Sequence, residues 1–227
     1  MKVQLDFMAV LSEWPLLLQG VGWTLALTAA AVIVGTVLAT GCAWVRARGF
    51  GDALAPAWLK ALVAGYVELI RNTPFIIQLF FIFFGLPSLG LRLSVEVACV
   101  LAMVFNLGAY ACEIVRAGLQ TTPRGQLEAA MSLALTPWQT FSRVVLPPAL
   151  ARIWPALVSQ IIIVMLGSAV CGQISAEELS QAANLISSRT FRSFESYIIV
   201  TAIYLLLAIA LRQLLYWVGP RFIFSSR

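Results

Sequence analysis

Five stretches of this 227-residue chain, at roughly 15–45, 61–87, 94–118, 149–174 and 195–218, are each long and apolar enough to cross a bilayer. A helical crossing needs about 20 predominantly apolar residues. The composition agrees, with 61% apolar residues, 11% charged and a mean hydropathy of +0.92. A soluble domain averages about 45–50% apolar and 25% charged. The expected fold class is therefore an all-α integral membrane protein with five transmembrane helices in one domain, residues 1–227. The first run far exceeds the roughly 7–15 apolar residues of a signal peptide and reads as a retained span.

The charges say how the spans are oriented. Arg46, Arg48 and Lys60 lie between spans one and two, Arg116, Arg124, Arg143 and Arg152 between three and four, and Arg221 and Arg227 after span five. The other side has Lys2, Arg92, Arg189 and Arg192. Positive charge favours the cytoplasm, so the N-terminus is expected outside and the C-terminus inside. A net charge of +5 spread over span ends is an orientation signal and not a nucleic-acid patch. Trp14, Trp23, Trp44, Tyr216 and Trp217 near span ends read as interface anchors. An odd span number and the lack of an internal repeat argue against an inverted-repeat secondary transporter.

Several chemistries are excluded early. The chain has no histidine, hence no His triad, no imidazole metal ligand and no near-neutral pH switch. Cys42, Cys99, Cys112 and Cys171 stand singly in apolar runs without CxxC spacing and read as small apolar side chains, so no metal site is expected. No GxxxxGK[ST] is present, which puts ATP chemistry on another chain.

The segment 119–148 interrupts the apolar pattern. Thr122 is expected to cap a helix with Pro123 at its first position. Leu127, Ala130, Met131 and Ala134 then follow i, i+3, i+4, i+7 and form one narrow apolar stripe. Thr136, Pro137 and Gln139 spell a second start with a capping box. That helix carries Phe141, Val144 and Val145 and is expected to stop at Leu146-Pro147-Pro148. Two short amphipathic helices joined by a corner can dock on another protein or lie flat on lipid. The small residues Gly125, Ala129, Ala130, Ser132 and Ala134 permit close backbone approach, which favours docking.

The stretch "EAAMSLALTPWQTFSRVVLP" resembles the EAA loop of ABC importer permeases, with Glu128, Ala129, Ala130, Val144, Leu146 and Pro147 in register. "YVELIRNTPFIIQLFF", "GAYACEIVRAG", "GQLEAA" and "LLLQGVGWTLALT" look like the polar amino-acid permease branch, so the resemblance covers nearly the whole chain. It implies the type I importer permease fold and ATP-driven uptake of polar amino acids or similar small solutes by alternating access. It also implies a bacterial inner-membrane location, two permease subunits, a periplasmic solute-binding protein and two cytoplasmic ATPases, with ATP and Mg on the ATPases and no cofactor on this chain. By the same resemblance, Gly125, Gln126, Glu128, Ala129, Ala130, Ala134, Leu146 and Pro147 would couple the spans to an ATPase groove. Three departures stand out. Ala134 replaces the usual glycine, so the corner must tolerate a Cβ or move to Thr136–Pro137. Asn72 stands where the family usually has glycine. "VMLGSAV" (164–170) lacks a lysine that many relatives carry, which suggests a non-identical permease partner. A permease for another solute, such as an opine or amino-acid derivative, is the alternative within the class. A non-conducting scaffold is the rival outside it, and a stand-alone channel is disfavoured by the docking loop.

Ionisable groups inside spans are costly and usually partnered. Glu68 with Arg71, and Glu113 with Arg116, are spaced i, i+3 and can pair on one helix face. Each pair either neutralises itself near the interface or takes part in gating. Asn106, Tyr110, Ser159, Gln160 and Ser168 are the polar candidates for a solute pathway, or else they bond neighbouring helices. Outside, 175–188 is expected to form a helix started by a Ser175–Glu178 capping box.

Overall fold

The computed structural model describes residues 5–46 and 55–223. Lys2, Arg48 and Arg227, used above for orientation, lie outside the described residues. Every regular element among the described residues is helical. Four helices are long and apolar enough to span, or five if one bent pair counts as a single crossing.

A short helix α1 (Phe7–Leu11), capped by the Asp6 carboxylate, precedes the first span. Span one is α2 (Trp14–Arg46), unbroken over 33 residues. At 1.5 Å per residue it reaches about 50 Å, longer than a bilayer core of about 30 Å, so it tilts or projects. Span three is α5 (Val95–Gln120), capped by Ser94, and span five is α9 (Ser193–Val218).

Span two departs from the expected single helix over 61–87. It consists of α3 (Ala57–Arg71) and α4 (Phe75–Leu89), bent by 113°. Pro74 is the cause: it offers no N–H to the turn before it and pushes Thr73 out of helical backbone. Asn72 ends α3 at φ −103°, ψ 8°, and its amide nitrogen donates to the Glu68 carbonyl at 2.8 Å. With a negative φ the position has no need of the family's glycine.

Span four also differs. The expected stop at Pro147–Pro148 does not occur, and α7 runs from Pro137 to Ile174. A wide π turn over Thr140–Val145 precedes the prolines, which then occupy the first turn of the following α segment. Prolines are tolerated there because first-turn N–H groups have no helical acceptor.

The helix expected over 175–188 is α8, Leu179–Thr190. Ser175 adopts a left-handed turn (φ 67°) and caps nothing, while Glu178 caps the helix itself through the N–H groups of Ser180 and Gln181. Its inner face is buried through Leu179, Ala182, Ala183 and Ile186.

The main core lies between α2, α3, α5 and α7. Its seam is built from small side chains, among them Ala31, Ala39, Ala43, Ala98, Ala102, Ala109 and Ala111, and all four cysteines are buried. Between spans, where lipid is as apolar as protein, such residues gain by letting backbones approach. At Gly108 a Cβ would come within 2.7 Å of the Tyr66 hydroxyl and 2.8 Å of Leu38, so only glycine lets α2, α3 and α5 meet there. A smaller cluster of Val10, Leu17, Leu179, Ala183, Ile186 and Val200 closes the end of the bundle that carries α8.

Candidate functional site

The elbow between spans three and four begins at Pro123, which is extended and flanks α6 (Arg124–Ser132) without any side-chain cap. Thr122 therefore does not cap it, contrary to expectation. Leu127 and Ala130 turn toward the bundle, Ala130 being buried, but Met131 and Ala134 leave the expected stripe and are exposed. Gly125, Gln126, Glu128 and Ala129 are exposed as well. Helix α6 thus presents one small-residue face, with Glu128 on it and Met131 and Leu133 beside it, that none of the described residues covers.

The corner stays at Ala134. Its N–H donates to Met131 O at 2.9 Å and that of Leu135 to Ala130 O at 3.1 Å, the pairing of a Schellman motif. This motif places its C′ residue in the left-handed region, and Ala134 has φ 52°. Two residues on, the expected capping box is present: Thr136 Oγ1 accepts from Gln139 N–H at 3.3 Å, and Gln139 Oε1 accepts from Thr136 N–H at 2.9 Å. Trp138 stacks on Phe141 at 5.8 Å, and Trp44 of α2 meets both rings edge-on at 6.2 and 6.4 Å. Trp44 therefore braces the elbow. Arg152 donates to the carbonyl and hydroxyl oxygens of Thr121 at 3.1 and 3.0 Å and ties the start of the elbow to span four. Leu146 and Pro147 sit half-buried in the continuing helix.

The expected charge pairs are rearranged. Glu113 accepts from Arg116 Nε at 3.0 Å and Nη2 at 2.7 Å, as spacing implies. It also bonds Arg46 at the end of α2 and faces Arg71 Nη1 at 3.9 Å. Arg71 thus turns to Glu113 and across the Tyr110 ring, 5.6 Å from its centroid, while Glu68 is exposed and not its partner. Glu68 and Arg71 both lie on α3 ahead of the bend, so it is the packing of α3 beside α5 that sets Arg71 against Glu113, which spacing within one helix could not reveal. One carboxylate gathers three guanidiniums from three elements, with the Glu113 side chain 16% exposed.

The pathway candidates separate in the same way. Asn106 donates to Gln78 Oε1 at 3.3 Å and lines, with Phe75, Met103, Val164, Gly167 and Val170, a cavity of about 160 Å³ between α4, α5 and α7. The Tyr110 hydroxyl donates to Arg71 O at 3.4 Å. Ser159 is exposed and bonds back to Pro155 O within its own helix. Gln160 is buried, and Ser168 is fully buried with its hydroxyl on Met165 O. Sequence reasoning missed Arg46 and Gln78. Gln78 Nε2 donates to Ile70 O at 2.7 Å and to the carbonyl and hydroxyl oxygens of Thr73. The proline four residues before it was the available signal, since a break leaves carbonyls that some nearby donor must satisfy.

Comparison with known proteins agrees with this architecture. Residues 31–224 match a family described as binding-protein-dependent transport system inner membrane components. The glutamine transport system permease protein GlnP of Escherichia coli K12 is 33% identical, over 94% of this chain and 95% of its own length. The nopaline transport system permease protein NocM of Agrobacterium fabrum is 28% identical over 95% and 93%. A crystal structure described as an amino acid ABC transporter with histidines superposes with a TM-score of 0.84 at 34% identity, covering 97% of this chain and all of that one.

Proposed function

This chain belongs to the binding-protein-dependent transport system inner membrane components, and from that premise we propose that it is the transmembrane subunit of an ATP-driven importer of polar amino acids. A periplasmic binding protein delivers the solute, a pair of cytoplasmic ATPases supplies the energy, and this chain itself holds no nucleotide. Closure of the ATPases around ATP favours one arrangement of the spans over the other; differential affinity alone moves such an equilibrium. The carrying observation is the uncovered face of α6, rigidly mounted by the Schellman corner, the capping box and the Trp44–Trp138–Phe141 brace. A push on α6 passes without a break into span four through α7, and into span three through Thr121 and Arg152.

The Glu113 cluster serves as the inner gate in this reading. It joins the end of span one, the break in span two and span three, so any motion that separates these elements must break charged contacts. Asn106 and Gln78 line the route between the broken span and span four. Amino acids and opines are both zwitterionic or charged small solutes, and the relatives' names divide between them, so an amino-acid derivative is the second reading. The missing lysine at 164–170 supports a non-identical permease partner.

The test is reconstitution in vesicles with the ATPase and the binding protein, with and without a second permease. Solute-stimulated ATP hydrolysis and uptake are expected only with the second permease; hydrolysis that never responds to solute would identify a scaffold. In the active assembly, Glu128→Gln and Glu128→Lys insert normally but lose ATPase co-purification and uptake, Lys more severely. Unpairing a charge at a protein interface costs about 2–5 kcal/mol, enough for more than tenfold. Wild-type uptake by Glu128→Lys would refute docking through this face.

A further inference from the structure

At the end of the bundle opposite the elbow, the side chain of Glu178 is left unused by the transport reading. Glu178 is fully buried. A carboxylate in that position needs donors, and it has three: Ser180 N–H and Gln181 N–H, both at 2.9 Å, and the Tyr204 hydroxyl at 2.5 Å. The two N–H bonds are ordinary helix capping, which aspartate or serine performs equally well. Capping does not explain the third bond, which reaches across to α9.

The surroundings make room for that reach. A Cβ at position 172 would lie 2.7 Å from Glu178 Oε1 and 2.7 Å from Ser180 Oγ, so Gly172 is what admits the longer side chain. The same turn is bonded in two further directions. Leu179 N–H donates to Thr24 Oγ1 of α2 at 3.2 Å, and Ser180 Oγ donates to Ala169 O of α7 at 2.8 Å. The hydroxyls of Thr24 and Ser168 lie beside the Tyr204 phenol. One turn, 178–180, thus touches α2, α7 and α9 together. Helix α9 buries few side chains of its own, namely Glu195, Ser196 and Val200, all in its first eight residues. Tyr204 lies one turn beyond them and carries a polar link deeper along the helix.

We propose that Glu178 is a positioning residue whose hydrogen bond to Tyr204 makes span five move as one body with the outer helix α8 and the outer end of span one. The consequence for uptake rests on the transport function proposed above; the tether itself does not. Glu178→Asp keeps the helix cap but is one methylene too short to reach α9, and Tyr204→Phe keeps the ring but lacks the donor. Spin labels at Ser188→Cys and Thr201→Cys, both exposed positions, report the distance between α8 and α9 in the reconstituted complex, the native cysteines being buried.

The wild-type background is expected to give one narrow distance distribution that is the same with and without ATP. Either variant is expected to broaden it, and the double variant to broaden it no further, because both remove one shared bond. Solute imported per ATP hydrolysed is expected to fall by about tenfold, the loss of one charge-assisted hydrogen bond, while hydrolysis continues. A role in folding alone would lower uptake and hydrolysis together and leave their ratio unchanged; that result would overturn the proposal, as would wild-type distance distributions in both variants. A wild-type complex that imports nothing, yet shows the expected distances, would sustain the tether and defeat the transport reading.

Discussion

Ala134 sits at φ 52°, a backbone conformation that costs an L-residue with a Cβ about 1–2 kcal/mol and glycine almost nothing. The fold accepts that cost because the two Schellman bonds and the capping box fix the corner from both sides. Ala134→Gly is therefore expected to raise stability by about 1 kcal/mol, after the larger entropy loss of glycine on folding. An unchanged or lower melting temperature of the purified complex would show that the corner relaxes elsewhere. Residue-scale electrostatics is concentrated at Glu113. Glu113→Gln leaves three guanidiniums around a neutral amide, and hydrogen bonds to charged groups contribute about 1.5–3 kcal/mol each. Arg71, at 3.9 Å with its side chain 43% exposed, is a solvated partner, and such pairs contribute about 0–1 kcal/mol. Thermal unfolding is expected to rank Glu113→Gln well below Arg71→Gln; equal losses would show that Arg71 carries the cluster's contribution to stability.

At the scale of elements, two proline sites have opposite outcomes. Pro74 breaks span two, whereas Pro147 and Pro148 do not break α7, because the π turn ahead of them lets them take first-turn positions. One amide bridges the break at Pro74, since Gln78 Nε2 reaches back to Ile70 O, Thr73 O and Thr73 Oγ1. Gln78→Leu keeps similar bulk and strips the donors from those carbonyls. A loss of about 1–3 kcal/mol is expected for the groups left unsatisfied, and Gln78→Glu, which has no donor when ionised, should be no better. Full stability of either variant in thermal unfolding would mean that the bend needs no staple. Expected elements that survived did so where their signals were local. The Thr136–Gln139 box and the i, i+3 bond of Glu113 to Arg116 are set by residues within one turn of each other.

For the whole molecule, the arginine asymmetry predicts a cytoplasmic elbow and C-terminus and a helix α8 on the other side of the membrane. A reporter fused after Arg227 is expected to score cytoplasmic, and one inserted at Ser187–Ser188 periplasmic. Reversed reporters would put α6 on the wrong side for any ATPase. Seen along the bundle, Trp44, Arg46, Glu113 and the elbow gather at one end, and Gly20, Thr24, Glu178 and Tyr204 at the other. Span five is bonded at both ends, by Tyr204 to Glu178 at the second and by Leu215 O to Trp154 Nε1 towards the first, and most of its length between and beyond them is exposed.

What the sequence determined by itself was the class of the fold and the place of the elbow. Hydrocarbon thickness makes apolar length a direct readout of spans one, three, four and five, and capping chemistry is written in residues three apart. Tertiary structure alone decided the partners. The packing of α3 beside α5 set Arg71 against Glu113, a carboxylate 42 positions further along the chain, and not against Glu68 on its own helix. Glu178 found Tyr204 because a glycine on a third element left room for it. Contacts of this kind depend on where helices cross and how closely their backbones approach, and no periodicity within one helix encodes either.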